Sequence, residues 1–218
     1  MQPEEMFAPD LFGEGRHAMP LRPGAMLLGG FAAPDAPALL EDLRRVEARA
    51  PFRNMVTPGG WPMSVAMTNC GSVGWVTDRT GYRYDPLDPQ TGEPWPAMPE
   101  TFRRLAGRAA EVAGYRGFEP DSCLMNRYEP GSRLSLHQDR NELDFDAPIV
   151  SVSLGLPATF LWGGATRADR PMRIRLFHGD VVVWGGPARL TFHGVDTLSG
   201  GESPAGERRY NLTFRVAR

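Results

Sequence analysis

The 218 residues amount to 24.0 kDa, a size that all-β sandwiches and barrels reach as one unit and that is tight for two domains. Apolar residues at 41% and charged residues at 23% make an ordinary globular balance, which excludes wholesale disorder. A net charge of −2 and a pI near 6.1 exclude a global basic field, so any polyanion must be held by a local patch.

Residues 1–24 are rich in Pro, Gly and Met without periodicity and are expected to form a loose arm. Their start shows neither the positive region nor the apolar stretch of a secretory leader. In the region 25–50, Leu39, Leu40, Leu43 and Val46 fall at helical spacing, with Pro37 near the start and Asp35 as the expected N-cap. Residues 51–98 have another texture: Thr57-Pro58-Gly59-Gly60-Trp61, an alternating Met63/Val65/Met67 strand, Gly74-Trp75 and Tyr82-Arg83-Tyr84. Long, turn-rich, aromatic-rich segments inside compact domains serve as lids or binding loops. A second helix is predicted from Pro99 to Ala113, with Phe102, Leu105, Ala109 and Val112 on one face and Gly114 as its stop.

Beyond residue 123 the chain is a succession of seven short predicted strands: 134–137, 149–156, 159–162, 173–177, 181–184, 190–193 and 209–216. Several are closed by Gly pairs, at 163–164, 185–186 and 200–201. Strands without intervening helices argue a mainly β fold with flanking helices, in which residues 99–218 form a double-stranded β-helix, or jelly roll. Cys70 and Cys123 have no CxxC or framework spacing and read as buried thiols of a reducing compartment. No apolar run reaches the roughly 18 residues that would span a membrane, so a cytoplasmic protein is expected.

Histidine is scarce, with four in the chain. His137-Gln138-Asp139 puts two ligating side chains on one face of an extended segment, because the strand period is two. His193 follows 56 residues later, where the sheet can fold back. Two neutral imidazoles and one carboxylate form the facial triad of non-haem Fe(II) oxygenases, which leaves positions open for a co-substrate and dioxygen. A surface His–Asp pair with an unrelated core His is the alternative. The chain carries its own control in His178-Gly179-Asp180, which sits at a Gly turn and reads as turn chemistry.

The distinguishing element is Arg209-Tyr210-Asn211-Leu212-Thr213-Phe214-Arg215. Alternation places Arg209, Asn211, Thr213 and Arg215 on one face and Tyr210, Leu212 and Phe214 on the other. Two guanidinium groups on an inward face are costly to bury without partners, and a dicarboxylate would supply them. All 24 basic residues are Arg, so every cationic contact here is a planar fork.

With these residues in place, the chain resembles the AlkB family of bacterial Fe(II)- and 2-oxoglutarate-dependent dioxygenases, which demethylate DNA and RNA. The resemblance runs from about residue 26 to 216. It is carried by segments 51–60, 63–70, 94–99, Asn126-Arg127-Tyr128, 134–139, 179–186 and 209–215. It implies His137, Asp139 and His193 as iron ligands. It implies Asn126, Arg127, Tyr128, Arg209, Tyr210, Asn211 and Arg215 around 2-oxoglutarate, with dioxygen as the second co-substrate. Thr57, Met63, Trp75, Tyr82, Arg83, Tyr84 and Arg167 would cover or grip the substrate nucleotide, with Trp75 facing His137 across the base.

The implied reaction is oxidative removal of the methyl group from bases such as 1-methyladenine and 3-methylcytosine as formaldehyde, coupled to decarboxylation of 2-oxoglutarate. The implied partners are single-stranded DNA and RNA, and duplexes by base flipping; a monomer is the default expectation, and the absence of a long apolar run leaves no membrane partner expected. One position departs from the pattern: the family's acid two residues past the iron Asp is Asn141 here, followed by Glu142; either Glu142 or Asp144 is expected to compensate at longer range. Arg53, Arg79, Arg133, Arg140, Arg167 and Arg170 are the candidates for gripping phosphate. A hydroxylase of proteins or small molecules, a cupin-like isomerase and a non-catalytic nucleic-acid-binding module stay open as alternatives.

Overall fold

A computed structural model describes residues 18–218. In chain order it contains β1 (Ala18–Arg22), β2 (Ala25–Leu28), α1 (Ala36–Arg49), β3 (Arg53–Val56), β4 (Pro62–Gly71), β5 (Gly74–Asp78), β6 (Gly81–Asp85) and α2 (Glu100–Val112). There follow β7 (Ser122–Tyr128), β8 (Leu134–His137), β9 (Ile149–Gly155), β10 (Ala158–Trp162), β11 (Met172–Leu176), β12 (Val181–Trp184), β13 (His193–Val195) and β14 (Arg209–Arg215). A short 3-10 turn, Gly186–Ala188, separates β12 from β13.

The strands build an eight-stranded sheet in the order β1-β2-β12-β9-β14-β7-β4-β3 and a four-stranded sheet in the order β11-β10-β13-β8. All pairings are antiparallel, and β5 and β6 form a hairpin of their own. This is the jelly roll expected from the run of short strands. In the large sheet β9, β12 and β14 are buried along their whole lengths. A strand covered on both faces tolerates apolar residues at every position, which is why Val181-Val182-Val183-Trp184 reads as a continuous run.

Alternation along β14 divides the interior into two layers. Tyr210, Leu212 and Phe214 face α1 and α2, where they join Leu39, Leu43 and Phe102. The Phe102 and Phe214 rings meet edge to face at 5.9 Å, and burying a side chain of that size contributes roughly 1.5–3 kcal/mol. The opposite layer lies between the two sheets and is filled by Met67, Leu124, Ile149, Phe160, Trp162 and Trp184. Arg209, Asn211, Thr213 and Arg215 alternate with the helix-facing residues of β14 and are all buried.

Several sequence expectations change at this level. Residues 18–22 of the expected loose arm form strand β1, paired with β2, while residues 1–17 lie outside the described residues. Asp35 stands at the start of α1 without a capping bond, because its backbone is helical. Its carboxylate accepts from Arg108 Nη2 of α2 at 3.2 Å instead. Val112 is exposed, and Ala106 and Ala110 complete the buried face of α2. Much of the expected 51–98 lid belongs to the large sheet, since β4 pairs with β7 and buries Val65, Met67 and Cys70. The strand expected at 190–193 begins only at His193, because the Thr191 N–H turns back to Ala188 O at 3.0 Å and the Phe192 N–H goes to Gly164 O at 3.0 Å. No helix among the described residues is long and apolar enough to cross a membrane.

Candidate active site

The register of β8 and β13 sets His137 directly opposite His193. Asp139 follows β8 by two residues, and one ligand atom from each of the three side chains lies within 4.8 Å of the others. Asp139 Oδ1 is 3.7 Å from His137 Nε2, and Oδ2 is 3.6 Å from His193 Nε2. Each imidazole presents Nδ1 to a backbone carbonyl two residues earlier, Ser135 at 2.9 Å and Thr191 at 3.0 Å. A carbonyl only accepts, so Nδ1 carries the proton and the Nε2 lone pair is left for a metal. Burial, followed by the neighbouring His193, lowers His137 to about 4, so its ring is neutral at ordinary pH. Burial opposes the charge of Asp139, but Arg215 and then His193 hold its carboxyl well below the usual range.

Around Asp139 lies a buried set of charges. Arg215 donates to Asp139 Oδ2 through Nη2 at 2.7 Å and Nε at 3.2 Å. Arg189 donates through Nη1 to the Asp139 carbonyl at 2.8 Å and through Nη2 to Glu142 Oε2 at 3.2 Å. Glu142 Oε1 lies 3.4 Å from Arg215 Nε and accepts the Tyr84 hydroxyl. Two guanidinium groups and two carboxylates therefore compensate one another, as burial requires. Burial raises the Tyr84 phenol well above its ordinary range, with Glu142 adding to the rise against Arg215, so it stays a donor.

Arg209 stands apart. Its Nη2 donates to Ser153 Oγ at 3.0 Å and its guanidinium lies 5.0 Å from the centre of the Tyr128 ring. No carboxylate pairs it among the described residues. Its Nε and Nη1 are buried without a partner, as are Asn126 Oδ1 and Arg215 Nη1. Burial lowers the Arg209 pKa, with Tyr128 partly offsetting it. A buried guanidinium with two open donors is what a carboxylate fills, so the residues present fit a dicarboxylate co-substrate beside a divalent metal.

The remaining expectations divide. Arg127 and Tyr210 put their side chains on the helix-facing side of the sheet, away from Arg209. Arg127 Nη1 pairs with Glu47 of α1 at 3.0 Å, and Tyr210 packs at 5.8 Å against Phe52. Strand alternation forbids either from sharing the face of Asn126 and Asn211. Asn211 faces inward, but its amide donors are already taken by Ser151 Oγ at 2.8 Å and Val152 O at 3.0 Å. Arg215, expected on the co-substrate, grips Asp139 through Nη2 and Nε and keeps Nη1 without a partner among the described residues.

On the β5–β6 hairpin, in the expected lid segment, Trp75 and Tyr82 stack at 5.7 Å, and Trp75 Nε1 donates to Asn141 Oδ1 at 3.2 Å. Glu142, expected at the substrate face, is buried beneath it by its bonds to Tyr84 and Arg189. Arg83 is engaged within its own hairpin by Asp78 at 2.9 Å and Asp85 at 3.4 Å. Thr57 accepts the Trp61 N–H at 3.2 Å, and the Met63 side chain packs on the inter-sheet core. Arg167 is exposed on the loop after β10. Of the candidates for phosphate, Arg53 is withdrawn into a bidentate pair with Asp88, whereas Arg79, Arg133, Arg140 and Arg170 are exposed.

Arg189 and Ser153 escaped the sequence reading. Ser151 and Ser153 do carry a signal, being polar at period two within the apolar strand Ile149-Val150-Ser151-Val152-Ser153-Leu154. Arg189 follows a Gly-Pro turn, where nothing periodic shows that its side chain folds inward.

Two imidazoles and a carboxylate at the mouth of a jelly roll, with an open buried guanidinium alongside, define a non-haem metal oxygenase that takes an acidic co-substrate. The description of the family model that matches residues 24–215 is the 2OG-Fe(II) oxygenase superfamily, and the chain belongs to that family. Within it, the chain is 57% identical to the alpha-ketoglutarate-dependent dioxygenase AlkB of Escherichia coli over 210 residues, covering 95% of this chain and 97% of that protein. The AlkB homolog of Caulobacter vibrioides is 48% identical over 183 residues, covering 83% and 81%. Among solved structures, OsALKBH1 superposes with a TM-score of 0.79 at 29% identity, covering 91% of this chain and 99% of that one.

Proposed function

We propose that this chain removes methyl groups oxidatively from N-alkylated bases, such as 1-methyladenine and 3-methylcytosine, in single-stranded DNA and RNA, and in duplexes after base flipping. The observation that carries the reading is the His137–Asp139–His193 cluster set beside the unpaired donors of Arg209. The 57% identity to the Escherichia coli dioxygenase AlkB supports the same chemistry. His137, Asp139 and His193 would hold Fe(II), which with 2-oxoglutarate and dioxygen supplies the oxidising power when bound.

The protein's own contribution is placement. Arg209 clamps the distal carboxylate of the co-substrate, with Tyr128 beneath it and Asn126 lining the same face. Arg215 keeps Asp139 ionised and fixes the oxygen that it presents. The two Nδ1–H contacts lock the imidazoles in the ligating tautomer. Trp75 and Tyr82 offer the aromatic surface on which an extruded base can stack, worth ~1–3 kcal/mol per base. A methylated Watson–Crick nitrogen cannot pair, so extruding such a base costs less than extruding an intact one.

The protein acts as a cytoplasmic monomer in this reading. Its test is the mass of a single-stranded oligonucleotide with one 3-methylcytosine, incubated with protein, Fe(II), 2-oxoglutarate and air. Loss of one methylene mass, absent when 2-oxoglutarate is omitted, is the expected result. An unchanged mass alongside continued 2-oxoglutarate consumption would overturn the nucleic-acid assignment while leaving an oxygenase.

A further inference from the structure

Trp61 is the most exposed aromatic side chain among the described residues, at 75%. It adds nothing to either core, yet its backbone is fixed. The turn joining β3 to β4 is closed by Thr57 N–H to Trp61 O at 2.9 Å, Gly60 N–H to Thr57 O at 2.8 Å and Trp61 N–H to Thr57 Oγ1 at 3.2 Å. Gly59 and Gly60 occupy the tip, and their missing side chains let two groups lie close to the turn. A Cβ built on Gly59 would stand 3.4 Å from Trp61 Cδ1, and one on Gly60 would stand 3.6 Å from Arg79 Nη2.

Arg79 comes from the turn between β5 and β6, which Thr77 Oγ1 fastens to Val56 O at 3.1 Å. It is exposed and makes no ion pair among the described residues. Its neighbour Asp78 is already taken by Arg83 and by the Thr80 backbone. A flat apolar plate and an uncommitted planar cation thus flank one glycine turn. The turn that supplies Arg79 closes the hairpin carrying Trp75 and Tyr82.

We propose that Trp61 and Arg79 form a second nucleotide subsite, where Trp61 stacks on an unpaired base flanking the alkylated one and Arg79 contacts its phosphate. The proposal rests on the nucleic-acid reading above. An indole face recognises any unpaired base, and a free guanidinium recognises phosphate, so single-stranded nucleic acid of arbitrary sequence is the ligand class. A duplex would keep its flanking bases stacked and hidden, which favours single strands at this subsite.

The test compares KM for a single-stranded 1-methyladenine decamer with KM for the 1-methyladenine mononucleotide, in native, Trp61→Ala, Trp61→Phe and Arg79→Gln proteins. Trp61→Ala should raise the decamer KM roughly tenfold with little change in kcat, and Trp61→Phe should restore most of it. Arg79→Gln should lower the slope of log KM against log salt by roughly 0.7, the single-strand value for one phosphate contact. Equal losses on the mononucleotide, or no change on the decamer, would overturn the subsite. A native protein that turns over neither substrate would sink the nucleic-acid reading itself. Sedimentation showing that Trp61→Ala abolishes a dimer, with KM unmoved, would reassign the patch to contact between copies.

Discussion

Arg209 is buried, and among the described residues only Ser153 Oγ and the Tyr128 ring answer its charge, which leaves a poorly compensated cation. Replacing it should weaken 2-oxoglutarate far more than it weakens the fold. For Arg209→Gln, calorimetry should show a loss of about 3 kcal/mol, roughly a hundredfold, in 2-oxoglutarate affinity with thermal stability unchanged or raised. Arg189 behaves in the opposite way, because Glu142 and the Asp139 carbonyl depend on it. Arg189→Met should cost about 3 kcal/mol of folding stability, and Arg189→Lys should not restore it, since an ammonium cannot reach both acceptors as a fork does. Urea titration would separate these outcomes from a harmless surface change. Asn141 carries no formal charge, and its carbonyl oxygen holds Trp75, whose ring is proposed to stack on the base. Asn141→Asp should therefore shift the ratio of turnover on methylated adenine and methylated cytosine. Identical profiles would remove this residue from base selection.

The candidate metal site is built by β8, with Asp139 just past its end, and β13, and their fit depends on one small residue. Gly194 lies between His193 and Val195, and a Cβ built there would stand 2.6 Å from the Leu134 carbonyl. Gly194→Ala should pry the strands apart and lower Fe(II) affinity at least tenfold, a loss that metal titration would read. A turn elsewhere sets a pH response. His178 Nδ1 accepts the Gly155 N–H at 2.9 Å, and burial lowers its pKa below 6.5, with Asp180 opposing. The unfolded chain then takes up the proton first as pH falls. This contribution is flat above pH 6.5 and is lost as pH drops through the folded value. Melting at pH 7.5 and 5.5 should show a smaller acid loss in His178→Gln than in the native protein. These elements also mark what the sequence makes legible. The inward face of β14 follows from period-two alternation, and the same rule places Arg127 and Tyr210 outside the site. The Trp75–Asn141 bond joins residues 66 apart, and the inward fold of Arg189 depends on a turn, so neither leaves a local pattern. Strand β1 was hidden because a short edge strand, partly exposed, has little apolar periodicity to show.

At the scale of the whole molecule, a net charge of −2 leaves no general attraction for nucleic acid. On the proposed function, affinity comes from a few exposed arginines and from stacking, so it should be modest and salt-dependent. The two-sheet frame holds the His–Asp–His cluster and the open guanidinium, and the Trp75–Asn141 bond ties the aromatic hairpin to them, although their residues span the chain from Trp75 to Arg209. The most direct test of that convergence measures formaldehyde and succinate together from a single-stranded 1-methyladenine oligonucleotide with Fe(II), 2-oxoglutarate and air, for native protein and His137→Ala. Equal amounts of the two products from native protein, and neither from the variant, is the predicted result. Formaldehyde that persists in His137→Ala, or succinate without formaldehyde in native protein, would contradict it.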